Sequence, residues 1–449
     1  MPLTRRQILA AALAAAATPS SAQESEPISQ VLTDLLGFDQ PRFDRAIASV
    51  AARGGTDLIS SLIFLMPFTY GPREKFDMAL QALTRERRTG WFDWMLWQEA
   101  HPEVASHPAY YDFKREVLLQ IDPAFDPFIA SRYITPDAAR IRFEKVTWGG
   151  VVKDGIPSLD NPPLIAADEA SYLRDDDLVF GVSINGDSHA YPLRIMGWHE
   201  MFNEVIGGVP VALAYCTLCG SGILFETTVQ GRKKPFVFGS SGFLYRSNKL
   251  MFDRATNTLW NQFTGEPVLG KLAKSGIRLN QRPVAIATWA DWTRDNPTTK
   301  VLSLETGHRR NYASGHVYRE YFASPDLMFP AAVDQTEHAQ KDYVFGIRHF
   351  GVAKAWPLDA FARKPVINDR AGEMNIVLIG DPDGRSVRAY ERGDLEFSAD
   401  LRADGVQWHR SEDALNAPDG RTLPRVAGHI AYWFAWDNYV GAAGEVYGG

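Results

Sequence analysis

Cysteine is almost absent from this chain: of 449 residues, only Cys216 and Cys219 carry a thiol. Two thiols close at most one bridge, so a fold stapled by several disulfides is excluded. A surplus of positive charge is missing as well. Lys and Arg number 47 against 54 Asp and Glu, giving a formal net charge of −7. With no excess cations to neutralise phosphates, nucleic acid is not an expected partner. Long apolar runs are lacking beyond the first residues. The best candidate, LISSLIFLMPF from Leu58, reaches Pro67 within about nine residues, whereas a bilayer crossing takes about 20. It reads as a buried helix, and no transmembrane segment is expected in the mature chain.

What is present begins with an ordinary composition, 45% hydrophobic and 22% charged, which suits a soluble protein of roughly two to four domains. Residues 1–22 place Arg5 and Arg6 before an apolar run from Ile8 to Ala17, then Ser20, Ser21 and Ala22 before Gln23. That order predicts a twin-arginine signal peptide, a mature chain starting near Gln23, and a periplasmic or secreted protein. Such a route carries proteins already folded, so the two cysteines could acquire a metal before meeting an oxidising compartment.

Residues 23–135 read as a helical domain. Phe43, Ile47 and Val50, then Phe76, Leu80 and Leu83, then Trp91, Trp94 and Trp97 recur at spacings of three and four, which places each set on one helix face. Breaks at Gly54-Gly55, Pro67, Gly71-Pro72 and Pro102 divide the segment into short helices. The stack is similar to HEAT-like helical hairpins, and it offers a docking surface for a protein partner.

From Val146 the texture changes to LVFGVSI, VPVALAY and GILFETTV, rich in Val, Ile and aromatics and broken by glycine, asparagine and proline. Those are strand signals. The expected class is therefore α+β, with helices first and a β-rich body after. An internal repeat organises that body. Asp177–Leu193 aligns without a gap to Asp342–Leu358, and eight of the 17 positions are identical, among them Phe180 with Phe345, Gly181 with Gly346 and Pro192 with Pro357. At the same offset Asn203 meets Asn368 and Gly207 meets Gly372, and farther on Trp289 and Trp292 correspond to Trp433 and Trp436. The division expected is a first copy over 145–305 and a degenerate second copy over 306–449. Residues kept in both copies are read as scaffold. His199, Glu200 and the YCTLC segment are present only in the first, so the candidate chemistry falls there.

Two cysteines three positions apart can chelate one metal through a tight turn, and Gly220 just after them suits a left-handed backbone. Strand-like VALAY before and GILFE after predict a knuckle in a hairpin rather than a cysteine pair opening a helix. Two thiolates do not complete a site. His199 in MGWHEMFNE is the expected third ligand, since imidazole with two thiolates suits zinc or copper. Glu200 is assigned a role behind the ligands, because neighbouring side chains project in different directions: if His199 points at the knuckle, Glu200 does not. Against the metal stand two other readings of the pair, a redox-active or structural disulfide and two buried thiols.

Taken together, WGGVVKDGIPSLDNPP, HAYPLRIMGWHEMFNEVIGGVPVALAYCTLCGSGILFE and LMFDRATNTLWNQFTGEPVLG resemble the bacterial and archaeal family called domain of unknown function 3179. The resemblance covers about Trp148 to Trp292, with a fainter copy to the C-terminus. It implies that His199, Glu200, Asn203 and the knuckle from Tyr215 to Cys219 belong to a family pattern, with Glu204 and Thr217 as departures from its usual aspartate and proline. The family's name declares no activity.

Asp253, Arg254, Trp260, Gln262 and Glu266 offer polar groups for a pocket beside the knuckle, or else a turn in which Asp253 caps amides and Trp260 packs the core. The turn is the expected outcome. His308, His316 and His338 lack ligand spacing. The leading expectation is an exported protein holding one copper or zinc ion per chain on Cys216, Cys219 and His199, used for redox chemistry or metal transfer. The alternatives are a thiol–disulfide oxidoreductase using the same cysteines, and a non-catalytic adaptor acting through its helices.

Overall fold

Six helices between Ile28 and Ile121 realise the apolar periodicities, in a computed structural model that describes residues 27–349 and 351–448. The export signal expected at residues 1–22 lies outside the described residues. Gln40–Arg53 buries Phe43, Ile47 and Val50; Asp39 caps its start by accepting from the Arg42 amide, and Gly54 ends it at φ 69°. Gly90–Ala100 buries Trp94 and Trp97, whose indole N–H groups reach the carboxylates of Asp77 and Glu86 at 2.8 and 2.7 Å. The apolar run from Leu58 forms the helix Ile59–Leu65 and is buried as expected. This helix touches Ile28–Leu36, Arg73–Thr84, Gly90–Ala100 and Ala109–Ile121. In a HEAT-like stack each hairpin meets only its neighbours, so a short central helix gripped by four others is a different arrangement.

The helical region is fastened to the body by a buried cation. Lys114 donates its Nζ to the carbonyls of Phe143 and Val146 at 2.6 and 2.7 Å, just where the first strand of the body, Val146–Trp148, pairs with Phe238–Tyr245. Burial, against the attraction of Glu144, lowers the Lys114 ammonium to a pKa of about 7.

The body is β-rich, which makes the whole a mixed α+β fold. Its first half sets the hairpin Leu178–Ile184/Asp187–Pro192 against antiparallel Ala285–Thr288 on one side and parallel Lys300–Leu302 on the other. A meander follows through Met201–Ile206, Val209–Cys216 and Ser221–Glu226. In the C-terminal half, the hairpin Tyr343–His349/Val352–Pro357 lies between antiparallel His429–Tyr432 and parallel Glu445–Val446. A meander through Val366–Ala371, Met374–Asp381 and Ser386–Glu391 comes next.

Individual contacts match across the two halves. A Cβ on Gly181 would stand 2.2 Å from the Trp292 ring, and one on Gly346 would stand 1.9 Å from Trp436. Asn203 exchanges two hydrogen bonds with the Phe238 backbone at 2.8 and 2.9 Å. Asn368 does the same with Phe397 at 2.7 and 2.9 Å. Between the halves runs one apolar cluster in which Cys216, Cys219 and Ile223 pack with Val344, Ala355, Tyr432 and Trp433. The cysteine turn thus sits in the seam.

Candidate functional site: a buried cysteine knuckle

The strand Val209–Cys216 ends in a single 3-10 turn, Thr217–Cys219, and returns as Ser221–Glu226, with Cys216 opposite Ser221. This is the hairpin knuckle expected from the flanking strand residues. Gly220 closes it at φ 60°, and a Cβ there would meet the rings of Tyr343 and Tyr432 at 3.1 and 3.2 Å. Left-handed backbone and crowding both call for glycine. The two sulfurs are 2.6 Å apart. Cys216 is 2% exposed and Cys219 is 0%. Burial first, then Cys216 beside it, raises the Cys219 thiol well above its ordinary pKa. The protonated sulfur donates to the Ser247 carbonyl at 3.5 Å.

Ser247 lies at the tip of the hairpin that joins Phe238–Tyr245 to Asn248–Asp253. Arg246 and Ser247 both hold positive φ, 51° and 62°, a left-handed pair that tight two-residue hairpins demand and side chains other than glycine resist. The tip is clamped. Arg246 pairs with Glu99 of the helical region at 2.6 Å and donates to the Asn438 carbonyl at 2.7 Å.

The helix Leu193–His199 ends at Glu200, whose left-handed φ of 54° turns the chain into Met201–Ile206. That reversal sends the two neighbouring side chains to different places, and the assignment is the opposite of the expected one. Glu200 reaches the knuckle: its Oε1 accepts from Thr217 Oγ1 at 2.7 Å and from the Tyr318 hydroxyl at 3.2 Å. Its Oε2 lies 3.0 Å from Lys249 Nζ. Both members of this ion pair are buried. Glu200, Lys249, Tyr318, Thr217 and Cys216 share a small cavity of about 50 Å³, space for a few waters or one small solute. Cys219 lies behind Cys216 and is not on its wall.

His199 faces elsewhere. Its Nδ1 lies 2.9 Å from the Pro157 carbonyl and its Nε2 2.6 Å from the Tyr312 hydroxyl, which is also bonded to Thr306. Burial, against the hydrogen bond to Pro157, lowers the imidazole to a pKa of about 4. It is neutral at pH 7, so Nδ1–H donates to Pro157 and Nε2 accepts from Tyr312. Both nitrogens are engaged. His308, which has no ligand spacing in sequence, stands beside it with ring centroids 5.2 Å apart. No group of three or more His, Cys, Asp or Glu side chains suited to a metal ion occurs among the described residues. The set Cys216, Cys219 and His199 is therefore not brought together.

The second polar cluster behaves as a turn. Asp253 accepts from the Thr256 amide at 2.6 Å and from Trp260 Nε1 at 3.0 Å, and Trp260 is fully buried. Arg254 pairs with Asp154, and Glu266 with Arg278. Gln262 is different. Its Nε2 donates to the carbonyls of Ala214 and Ser221 at 2.9 and 3.3 Å, tying together the strands on either side of the knuckle. Lys249 and Tyr318 are the site residues that sequence reasoning missed. A lysine directly before the apolar Leu250–Phe252 was the available signal for the first; Tyr318, more than a hundred residues from Glu200, gave none.

A family model described as protein of unknown function (DUF3179) matches residues 153–443. No curated protein and no solved structure matches the chain.

Proposed function

The chain belongs to the DUF3179 family, and we propose that it is a thiol–disulfide redox protein in which Cys216 and Cys219 cycle between two thiols and one disulfide. The observation that carries this reading is the pair itself: two sulfurs 2.6 Å apart on one turn, both buried, with no group of three or more His, Cys, Asp or Glu side chains suited to a metal ion among the described residues. Cys216 borders the cavity and is the sulfur that meets a reactant. Cys219 is the resolving thiol, held protonated and aimed at Ser247 until its partner is oxidised. Closing the bridge breaks two S–H bonds and forms one S–S bond; an oxidising disulfide takes the two electrons and leaves as two thiols, its sulfurs taking up the two protons, one of them by way of Glu200. Glu200, held by Lys249, is the acceptor placed to take a proton released at the knuckle. Its test is a redox titration: protein equilibrated in graded dithiothreitol buffers, acid-quenched, denatured and alkylated. A reversible two-electron transition supports the reading, and thiols that ignore oxidant reject it.

A second reading keeps one copper or zinc ion per chain. What favours it is the knuckle form, a tight turn between strands closed by left-handed Gly220. Bound metal in the purified protein, lost in the Cys216→Ser, Cys219→Ser double variant, supports that reading.

In this account the body is an internal duplication, supported by the matched strand registers and by the paired contacts of Gly181 with Trp292 and Gly346 with Trp436. The C-terminal copy, which carries no cysteine, serves as the wall that covers the knuckle with Tyr343 and Tyr432. Arg5 and Arg6 support export by the twin-arginine route. Exposed Phe38, Met78 and Phe92 support the helical region as a surface for a protein partner.

A further inference from the structure

The seam between the helical region and the body encloses a cavity of about 220 Å³, unrelated in its lining to the knuckle cavity. Its walls come from three distant parts of the chain: Phe64 on the central helix and Phe68 just after it, with Trp91 on Gly90–Ala100; Trp148 on the first strand of the body; and Phe329 from the segment that follows Arg319–Ala323. Trp91 meets Phe329 edge-on with centroids 6.3 Å apart, and Phe68 stacks with Trp148 at 6.3 Å. A dry apolar cavity of about 150 Å³ is known to suffice for benzene. This one is larger, and five aromatic rings stand on its walls, with Arg73, Lys114 and Glu144 among the other residues that line it.

It also has a polar handle. Gln98 lies on the cavity wall and is 3% exposed. Its Nε2 is directed at the Glu144 carbonyl, 3.4 Å away, and its Oε1 has no partner. The carbonyl fixes which end of the amide is nitrogen, because a flipped amide would set oxygen against oxygen. The unmet need is therefore for a donor. A buried acceptor left unpaired is destabilising, and a ligand that supplies an O–H or N–H removes that penalty.

We propose that this seam pocket binds a small single-ring aromatic molecule carrying one hydrogen-bond donor. The ring fills the space among the aromatic walls, and its donor goes to Gln98 Oε1. The site has a physical route to the knuckle as well. Phe329, one of its walls, accepts from Ser247 Oγ at 3.3 Å, and the Ser247 carbonyl accepts from the Cys219 thiol. The binding proposal stands whether or not the cysteines are redox-active.

Fluorine NMR on the whole protein tests it, with 4-fluorophenol and fluorobenzene as probes. Both are expected to bind, the phenol at least fivefold more tightly. Gln98→Leu is expected to erase that preference while leaving fluorobenzene within about twofold. Met95→Trp, which fills the space from another wall residue, is expected to abolish binding of both, with a thermal melt confirming the fold of each variant. Absence of binding to the unaltered protein overturns the proposal. So does a phenol preference that survives Gln98→Leu, or, if that variant does not fold, phenol binding undiminished in Met95→Trp.

Discussion

Replacing Lys249 by Met removes the cation paired with Glu200 and leaves a carboxylate in an interior where both side chains are less than a tenth exposed. Breaking a buried ion pair from one side costs about 3–5 kcal/mol, because the surviving charge has lost its compensation. Two neutral donors remain, Thr217 and Tyr318, and methionine fills the space of the lysine stem, so little cavity cost is added. The expected loss is about 3 kcal/mol, at the low end. Glu200→Gln in the Lys249→Met background removes the orphaned charge and is expected to restore about 2 kcal/mol. Urea unfolding at pH 7 on the four members of this cycle, with both cysteines reduced throughout, reads the coupling. A single variant within about 0.5 kcal/mol of the parent, or additive losses in the double variant, would show that water screens the pair and that the two charges are not buried as described.

The remaining expectations concern scaffold and pH. Gly181→Ala and Gly346→Ala should each destabilise by about 1–3 kcal/mol through overpacking, because each new methyl would collide with a buried tryptophan ring; indifference of either to thermal unfolding would contradict the close packing. His199 has its pKa depressed to about 4 in the fold against about 6.5 unfolded. The unfolded chain binds its proton first, so this contribution is present above pH 6.5 and is lost as pH falls towards 4, by up to about 3 kcal/mol. His199→Gln should flatten that part of the stability–pH curve. In Glu412, burial alone would raise the pKa, but Arg388 and Arg425 outweigh it and hold the carboxyl at about 2. Its contribution is present above about pH 4.5 and is lost as pH falls towards 2, so Glu412→Gln should remove the steepest loss in that lower window.

Local pattern carried much of the architecture into view. The three-and-four spacing of Phe43, Ile47 and Val50 reports one buried helix face, and the strand-type runs VALAY and GILFE on either side of the cysteine turn report a hairpin, because both depend on neighbours a few residues away. The matched pairs Gly181/Gly346 and Asn203/Asn368 were also legible, since each repeats a backbone requirement at the same place in the chain. The site was legible only in part. Cys216, Cys219 and Gly220 form one turn, but the direction of His199 and Glu200 depends on a left-handed residue at the end of a seven-residue helix, which nothing in WHEMFNE announces. Lys249 and Tyr318 reach Glu200 through tertiary packing across 49 and 118 positions. Periodicity carries no information at that range. The central packing of Ile59–Leu65 escaped for the same reason: spacing shows which face is apolar, not how many helices cover it.

The central claim, that Cys216 and Cys219 are one reversible redox pair, is tested most directly by equilibrating the protein in graded dithiothreitol buffers and counting alkylated thiols by intact mass, with metal content measured on the same samples. The account expects a single transition from two free thiols to none, reversed on adding back reductant and indifferent to chelator. Two thiols that persist through the oxidising end of the series, protected by one copper or zinc ion per chain, would contradict it.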